Sequence, residues 1–216
     1  MSLLNVYLGP AHVDVYVDTL SGEIVGAPGE AARPLSQGES CKLCLLADSN
    51  VILAGNGMQL FFGGLLYGAF GRYGNGFDGL AADMPALLRQ SMMHSRELVV
   101  RMGYGVECLN EQLIALAGYS AREGRLCARL WMHDPEVGAW EDFELDPGSR
   151  WISPWSDQWG KLPTVGPLPP ADAAMVAADQ VARITAESAG VPVIGGRLLH
   201  AHLTADQARV SEICGL

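Results

Sequence analysis

Two short apolar runs, Leu4–Leu8 and Val13–Asp18, flank the pair Gly9-Pro10. A Gly-Pro pair between strand-forming segments marks a turn, so the two runs are expected to fold back on each other as an antiparallel hairpin. This hairpin constrains the fold more than any other segment, because it fixes which residues share an edge. Asp18, at the end of the second strand, returns beside Ser2, at the start of the first. A further strand opening at Lys42 (Lys42-Leu43-Cys44-Leu45-Leu46) can bring an ammonium group to the same edge. Ser2 is small enough for Met1 to be trimmed. A hydroxyl residue at a free N-terminus is a nucleophile that carries its own base, the α-amine.

Beyond the hairpin the chain alternates between strand-rich and helical stretches. Residues 20–40 hold Gly, Pro, Ser and Ala with little periodicity and read as a loop or an irregular pair of short strands. Strands at 42–46 and 51–54 form a second hairpin around Asp48-Ser49-Asn50, followed by a helix over 58–70 whose Gly63, Gly64 and Gly68 permit close packing. Asp83 is the expected N-cap of the next helix, with Pro85 in its first turn. Met84, Leu87, Leu88, Met92, Leu98, Val99 and Met102 fall near a 3.6-residue period, and the helix is expected to end near Gly103. Strands follow at 111–119, 125–133 and 139–145. Residues 146–170 read as a long ordered loop anchored by Trp151, Trp155 and Trp159. A helix over 171–188 and strands over 193–203 and 208–213 complete the chain. Helices grouped between hairpins predict an α+β fold, antiparallel sheets covered by helices, in one domain over 1–216. No Gly-x-Gly-x-x-Gly follows the first strand, which argues against a dinucleotide-binding sheet.

Composition excludes several function classes. A net charge of −10 without a basic stripe argues against nucleic acid as a partner. No run of about 18 apolar residues is present to span a membrane, and no basic-then-apolar leader opens the chain, so a cytoplasmic protein without a membrane partner is expected. Five cysteines scattered at 41, 44, 108, 127 and 214 predict free thiols in a reducing compartment. Cys41 and Cys44 form a Cys-x-x-Cys, but no second pair follows it, and strand positions three apart face opposite sides. His200 and His202 share one face of a strand, as metal ligands can, yet the sequence places no third ligand beside them. His12 and His133 sit at turns and read as packed or exposed. No cofactor and no metal are therefore expected.

The element order and the N-terminal constellation resemble the N-terminal-nucleophile (Ntn) hydrolases, above all the proteasome β-subunit and HslV-like branch. Ser2, Asp18 and Lys42 match the family's nucleophile, its acidic residue closing strand two and its lysine opening the next hairpin. The sixteen-residue separation of Ser2 and Asp18 is the family's own. Val51-Ile52-Leu53-Ala54-Gly55 resembles the strand whose closing Ala-Gly supplies an oxyanion-hole amide, and Ile194-Gly195-Gly196 also fits the family pattern. Departures are a Ser in place of Thr, a longer segment between Asp18 and Lys42, Thr19 where a basic residue is common, and no Gly-Ser-Gly-Ser-like segment.

The resemblance implies a four-layer αββα sandwich of two antiparallel sheets. It implies amide or peptide hydrolysis through an acyl-Ser2 intermediate. In that chemistry Lys42 lowers the pKa of the Ser2 amine, Asp18 orients Lys42, and the Gly55 amide meets the oxyanion. It further implies a homo-oligomeric ring and a peptide or amide substrate. The family also contains catalytically silent structural subunits. Retention of Met1, which would turn the Ser2 amine into an amide, points to that alternative.

Overall fold

In the computed structural model, which describes residues 2–25, 33–110, 112–154, 170–188 and 194–216, the N-terminal hairpin forms where the two apolar runs put it. Strands β1 (Leu4–Leu8) and β2 (Val13–Asp18) pair antiparallel, with Leu4 opposite Val17 and Leu8 opposite Val13. The turn closes with the Gly9 N–H donating to the His12 carbonyl at 2.8 Å. The segment read as a loop or irregular strands is a two-stranded hairpin, β3 (Leu20–Val25) and β4 (Arg33–Glu39).

Strands β5 (Leu43–Leu46) and β6 (Val51–Asn56) form the second hairpin, reversed through Asn50 in the left-handed conformation (φ 49°). Helices α1 (Gln59–Phe70) and α2 (Gly76–Arg101) follow. Next come β7 (Leu113–Ser120), β8 (Arg125–Asp134), β9 (Ala139–Glu144) and β10 (Arg150–Ser153). Helix α3 (Pro170–Glu187) and the hairpin β11 (Arg197–Leu203) and β12 (Ala208–Gly215) complete the order.

Two five-stranded antiparallel sheets result, β10-β1-β2-β11-β12 and β5-β6-β7-β8-β9. Three apolar clusters bind the layers. Between the sheets, Val6, Val15 and Val17 meet Ile52, Ala54, Ala115 and Ala128. On one outside, Phe61, Leu65, Met84 and Leu88 of α1 and α2 pack on Leu53, Ile114, Leu116 and Trp131. On the other, Ala173, Val176, Ala177 and Ile184 of α3 pack on Tyr7, Tyr16 and Leu198. The architecture is therefore the αββα sandwich. Among the described residues no helix is long and apolar enough to cross a membrane.

Two expectations need correction. Helix α2 starts at Gly76, so Asp83 is an interior residue rather than the N-cap; it pairs with Arg72 at 3.3 Å. The early start buries Phe77, Leu80 and Ala81, and that packing outweighs the weak helix propensity of Gly76 and Gly79 and the break that Pro85 signals. The segment read as a long loop contains β10, which pairs with β1 as Leu4 opposite Ser153. Trp151 lies on that strand, its ring 5.5 Å from Phe143, whereas Trp155 and Trp159 lie outside the described residues.

The glycines of α1 serve the helix pair unequally. A Cβ on Gly64 would meet Ser91 Oγ at 3.0 Å and one on Gly68 would meet Leu87 at 2.8 Å, so both sit at the contact with α2. Gly63 faces open space. On β7, a Cβ on Gly118 would lie 2.8 Å from Cβ of Phe77, an atom that cannot swing aside. Opposite signs are therefore expected in urea melts. Gly118→Ala should lose about 1–3 kcal/mol through overpacking, and Gly63→Ala should gain about 1 kcal/mol from helix propensity alone.

Candidate functional site

Asp18 is the last residue of β2, and its carboxylate is fully buried. A carboxylate removed from water must have donors on both oxygens. Oδ1 accepts from Lys42 Nζ at 2.9 Å and from the Leu3 N–H at 2.8 Å, and Oδ2 accepts from the Gly195 N–H at 3.1 Å. Lys42 Nζ also donates to the Leu20 carbonyl at 2.5 Å. Burial pushes the Lys42 ammonium below its ordinary range, and the Asp18 charge acts against that shift. Hairpin geometry delivers Leu3 to this point, since Leu4 stands opposite Val17 and the residues just outside that pair must meet.

Ser2, Asp18 and Lys42 are thus gathered at one buried edge. Ser2 is 4% exposed; its carbonyl accepts from Asn56 Nδ2 at 2.7 Å, while the next amide, that of Leu3, is held by Asp18. Met1 lies outside the described residues.

Gly55 departs from expectation. Its N–H does not point into the pocket but donates to the Lys42 carbonyl at 2.9 Å. The cause is register. Leu43 pairs with Ala54, so Gly55 falls opposite the residue just before β5 and its amide is spent on the ladder. A Cβ there would also strike Phe62 at 2.4 Å, so the glycine serves the packing of α1 on β6.

The turn Ile194-Gly195-Gly196 completes the site. Gly196 (φ 79°) is left-handed, and a Cβ on it would crowd the Leu20 amide nitrogen at 3.1 Å. Thr19, the departure from the family pattern beside Asp18, accepts the Arg197 N–H on Oγ1 at 2.8 Å and so ties the end of β2 to β11. Sequence reasoning missed Asn56, which lies between the second hairpin and the helix and carries no motif. It also missed the pair Asn5–Gln180, in which Asn5 Nδ2 donates to Gln180 Oε1 at 2.8 Å and locks α3 to β1.

A second polar cluster lies on the same face of β2, four residues from Asp18. Asp14 Oδ1 is 2.7 Å from both His200 Nε2 and His202 Nδ1, and His12 Nε2 is 3.4 Å from Oδ2. Burial pushes the Asp14 carboxyl up, but the hydrogen bonds from the two imidazoles outweigh it and hold the group below its usual range. His133, by contrast, packs at 5.2 Å from Trp140 with Nδ1 against the Asn110 carbonyl.

No family model matches the chain, and no curated protein matches it. Among solved structures it is similar to a mutant of Anbu from Hyphomicrobium sp. strain MC1, with a TM-score of 0.60 and 10% identity over 99% of this chain and 88% of that one. Likeness at that identity bears on the fold alone, and the fold is proteasome-like.

The buried pair carries a stability prediction. Lys42→Met strands the Asp18 charge among backbone amides and should lose about 3–5 kcal/mol. Combining it with Asp18→Asn should lose less than the sum of the two single changes in urea melts, because the partners are coupled. Additive losses would show that the two groups act separately.

Proposed function

We propose that this protein is a proteasome-like Ntn hydrolase that cleaves peptide or amide bonds through Ser2 after removal of Met1. The observation that carries the reading is the buried Asp18–Lys42 pair (2.9 Å), which also grips the Leu3 amide, one residue from the nucleophile. A desolvated cation beside the N-terminus favours the neutral form of the Ser2 amine, the form that can take the hydroxyl proton. Attack of Oγ on the carbonyl carbon forms the acyl-Ser2 ester and expels the amine, and water then cleaves the ester. The Gly55 amide is engaged by the Lys42 carbonyl, and Asn56 Nδ2 by the Ser2 carbonyl and by Ser153 Oγ, so neither is a free donor for the oxyanion.

A second reading, a catalytically silent subunit of a homo-oligomer, draws on that same engaged Gly55 amide. Either reading fits self-association. Tyr67, Met93, Val100 and Met102 on and just beyond α1 and α2 are each at least 60% exposed, and apolar groups presented this way favour burial against other copies.

Intact mass distinguishes the readings. The hydrolase reading expects a chain lacking Met1 that cleaves a fluorogenic peptide-amide panel and takes one covalent adduct from a β-lactone probe. Ser2→Ala should abolish both responses while leaving assembly unchanged in light scattering. A chain that keeps Met1 and shows no turnover makes it the silent subunit. Turnover that survives Ser2→Ala rejects Ser2 as the nucleophile.

A further inference from the structure

Three of the five histidines of this chain converge on one buried carboxylate. His200 and His202 alternate on β11, so both point to the outer face of the sheet. The register sets His202 directly opposite Asp14 on β2. Each of the three offers a ligand atom, and these atoms all lie within 4.8 Å of one another. We propose that Asp14, His200 and His202 bind a divalent transition-metal ion of the zinc class, with water in the fourth position.

Three observations support a built site. His200 is locked in place: its ring stacks on Tyr16 at 4.5 Å and 5°, and Tyr7 stands edge-on to Tyr16 at 5.8 Å. Such outer packing orients a metal ligand before the ion arrives. His12 Nε2 stands 3.4 Å from Asp14 Oδ2, and its ring stacks on His202 at 5.5 Å and 23°, which holds that imidazole in place. The space His12 occupies exists because residue 9 is glycine: a Cβ there would lie 2.6 Å from His12 Cε1 and 2.9 Å from Nε2. The donor set, imidazole nitrogens with one carboxylate, suits zinc and its neighbours rather than magnesium or calcium, which take oxygen cages.

Without an ion, Asp14 is served by imidazole N–H groups. With bonds of about 2.0–2.2 Å to the ion, tetrahedral ligand atoms sit about 3.3 Å apart. The present 2.7 Å contacts therefore open by roughly 0.6 Å as the metal displaces the bridging protons to the far ring nitrogen or to water. Three protein ligands leave one coordination position to water. Here they would clamp β2 to β11 at the end next to the β1–β2 turn. The ion would lie about 13 Å along β2 from Asp18, separate from the Ser2 edge.

The test uses the full chain stripped with EDTA and titrated with Co2+, followed by displacement with Zn2+. One Co2+ per chain is expected, with the intense visible bands of tetrahedral nitrogen–oxygen coordination, and Zn2+ should raise the melting temperature. His202→Ala, at a partly exposed position, should weaken binding by more than the ~10–100-fold typical of losing an outer partner. Asp14→Asn, which keeps the side-chain volume, should weaken it likewise. His94→Gln, on the exposed face of α2, should change nothing. Circular dichroism of each variant controls for folding. The proposal is overturned if the stripped protein takes up no stoichiometric metal, or if folded His202→Ala and Asp14→Asn bind like the parent chain. Thiolate-to-cobalt charge-transfer bands, which would place the ion on cysteines, also overturn it.

Discussion

The fold is tied together at the Asp18 carboxylate. A fully buried charge is tolerated only when its lone pairs are met, and the three donors here come from three distant parts of the chain. Leu3 brings the N-terminus, Lys42 the first residue before β5, and Gly195 the turn before β11. Each donor pins a segment that the apolar layers alone would leave free to slide. The carboxylate therefore sets where the first strand starts, how the two sheets are offset at that end, and how the C-terminal hairpin approaches β2. Loss of this group would be felt by the register of the sandwich as well as by any chemistry at Ser2.

The outer face of β2 carries this logic along its length. Val13, Val15 and Val17 point between the sheets, while Asp14, Tyr16 and Asp18 point the other way, and all six are buried. A strand buried on both faces usually has an apolar outer face. Here the outer face is polar, and its two carboxylates gather separate clusters, one with Lys42 and one with histidines, with Tyr16 stacked between them on His200. Polar groups carried beneath or beside a helix layer require matched partners at each position. Asn5 and Gln180 supply the same matching where α3 crosses β1.

How far each element was legible depended on whether local or distant forces decided it. The hairpins at Gly9-Pro10 and Asp48-Ser49-Asn50 were readable because turn chemistry and short apolar runs are local signals. The start of α2 was not, because Gly76 and Gly79 are poor helix formers and only the burial of Phe77 and Leu80 against β7 and the facing core makes that turn helical. β10 was hidden in a Pro- and Trp-rich stretch because a short strand is defined by its partner, β1, rather than by its own pattern. Gly55 showed the converse. Its place after Val51-Ile52-Leu53-Ala54 suggested a free amide, and a single register relation with Lys42 engaged it.

From the sequence alone came the hairpins, the grouping of helices between them, and hence an α+β fold of antiparallel sheets covered by helices, with Ser2, Asp18 and Lys42 candidates for one edge. These follow from periodicity and turn residues, which act over a few positions. Only the tertiary structure decided what partners each buried polar group receives. Asn56 reaches Ser2 across 54 residues, Gly195 reaches Asp18 across 177, and Asp14 meets His200 and His202 across more than 180. The sequence showed two histidines on one strand face and no third ligand. The carboxylate that meets them, Asp14, stands on β2, and only the pairing of β2 with β11 brings it there, because cross-strand neighbours are set by sheet order and register, which no local pattern encodes.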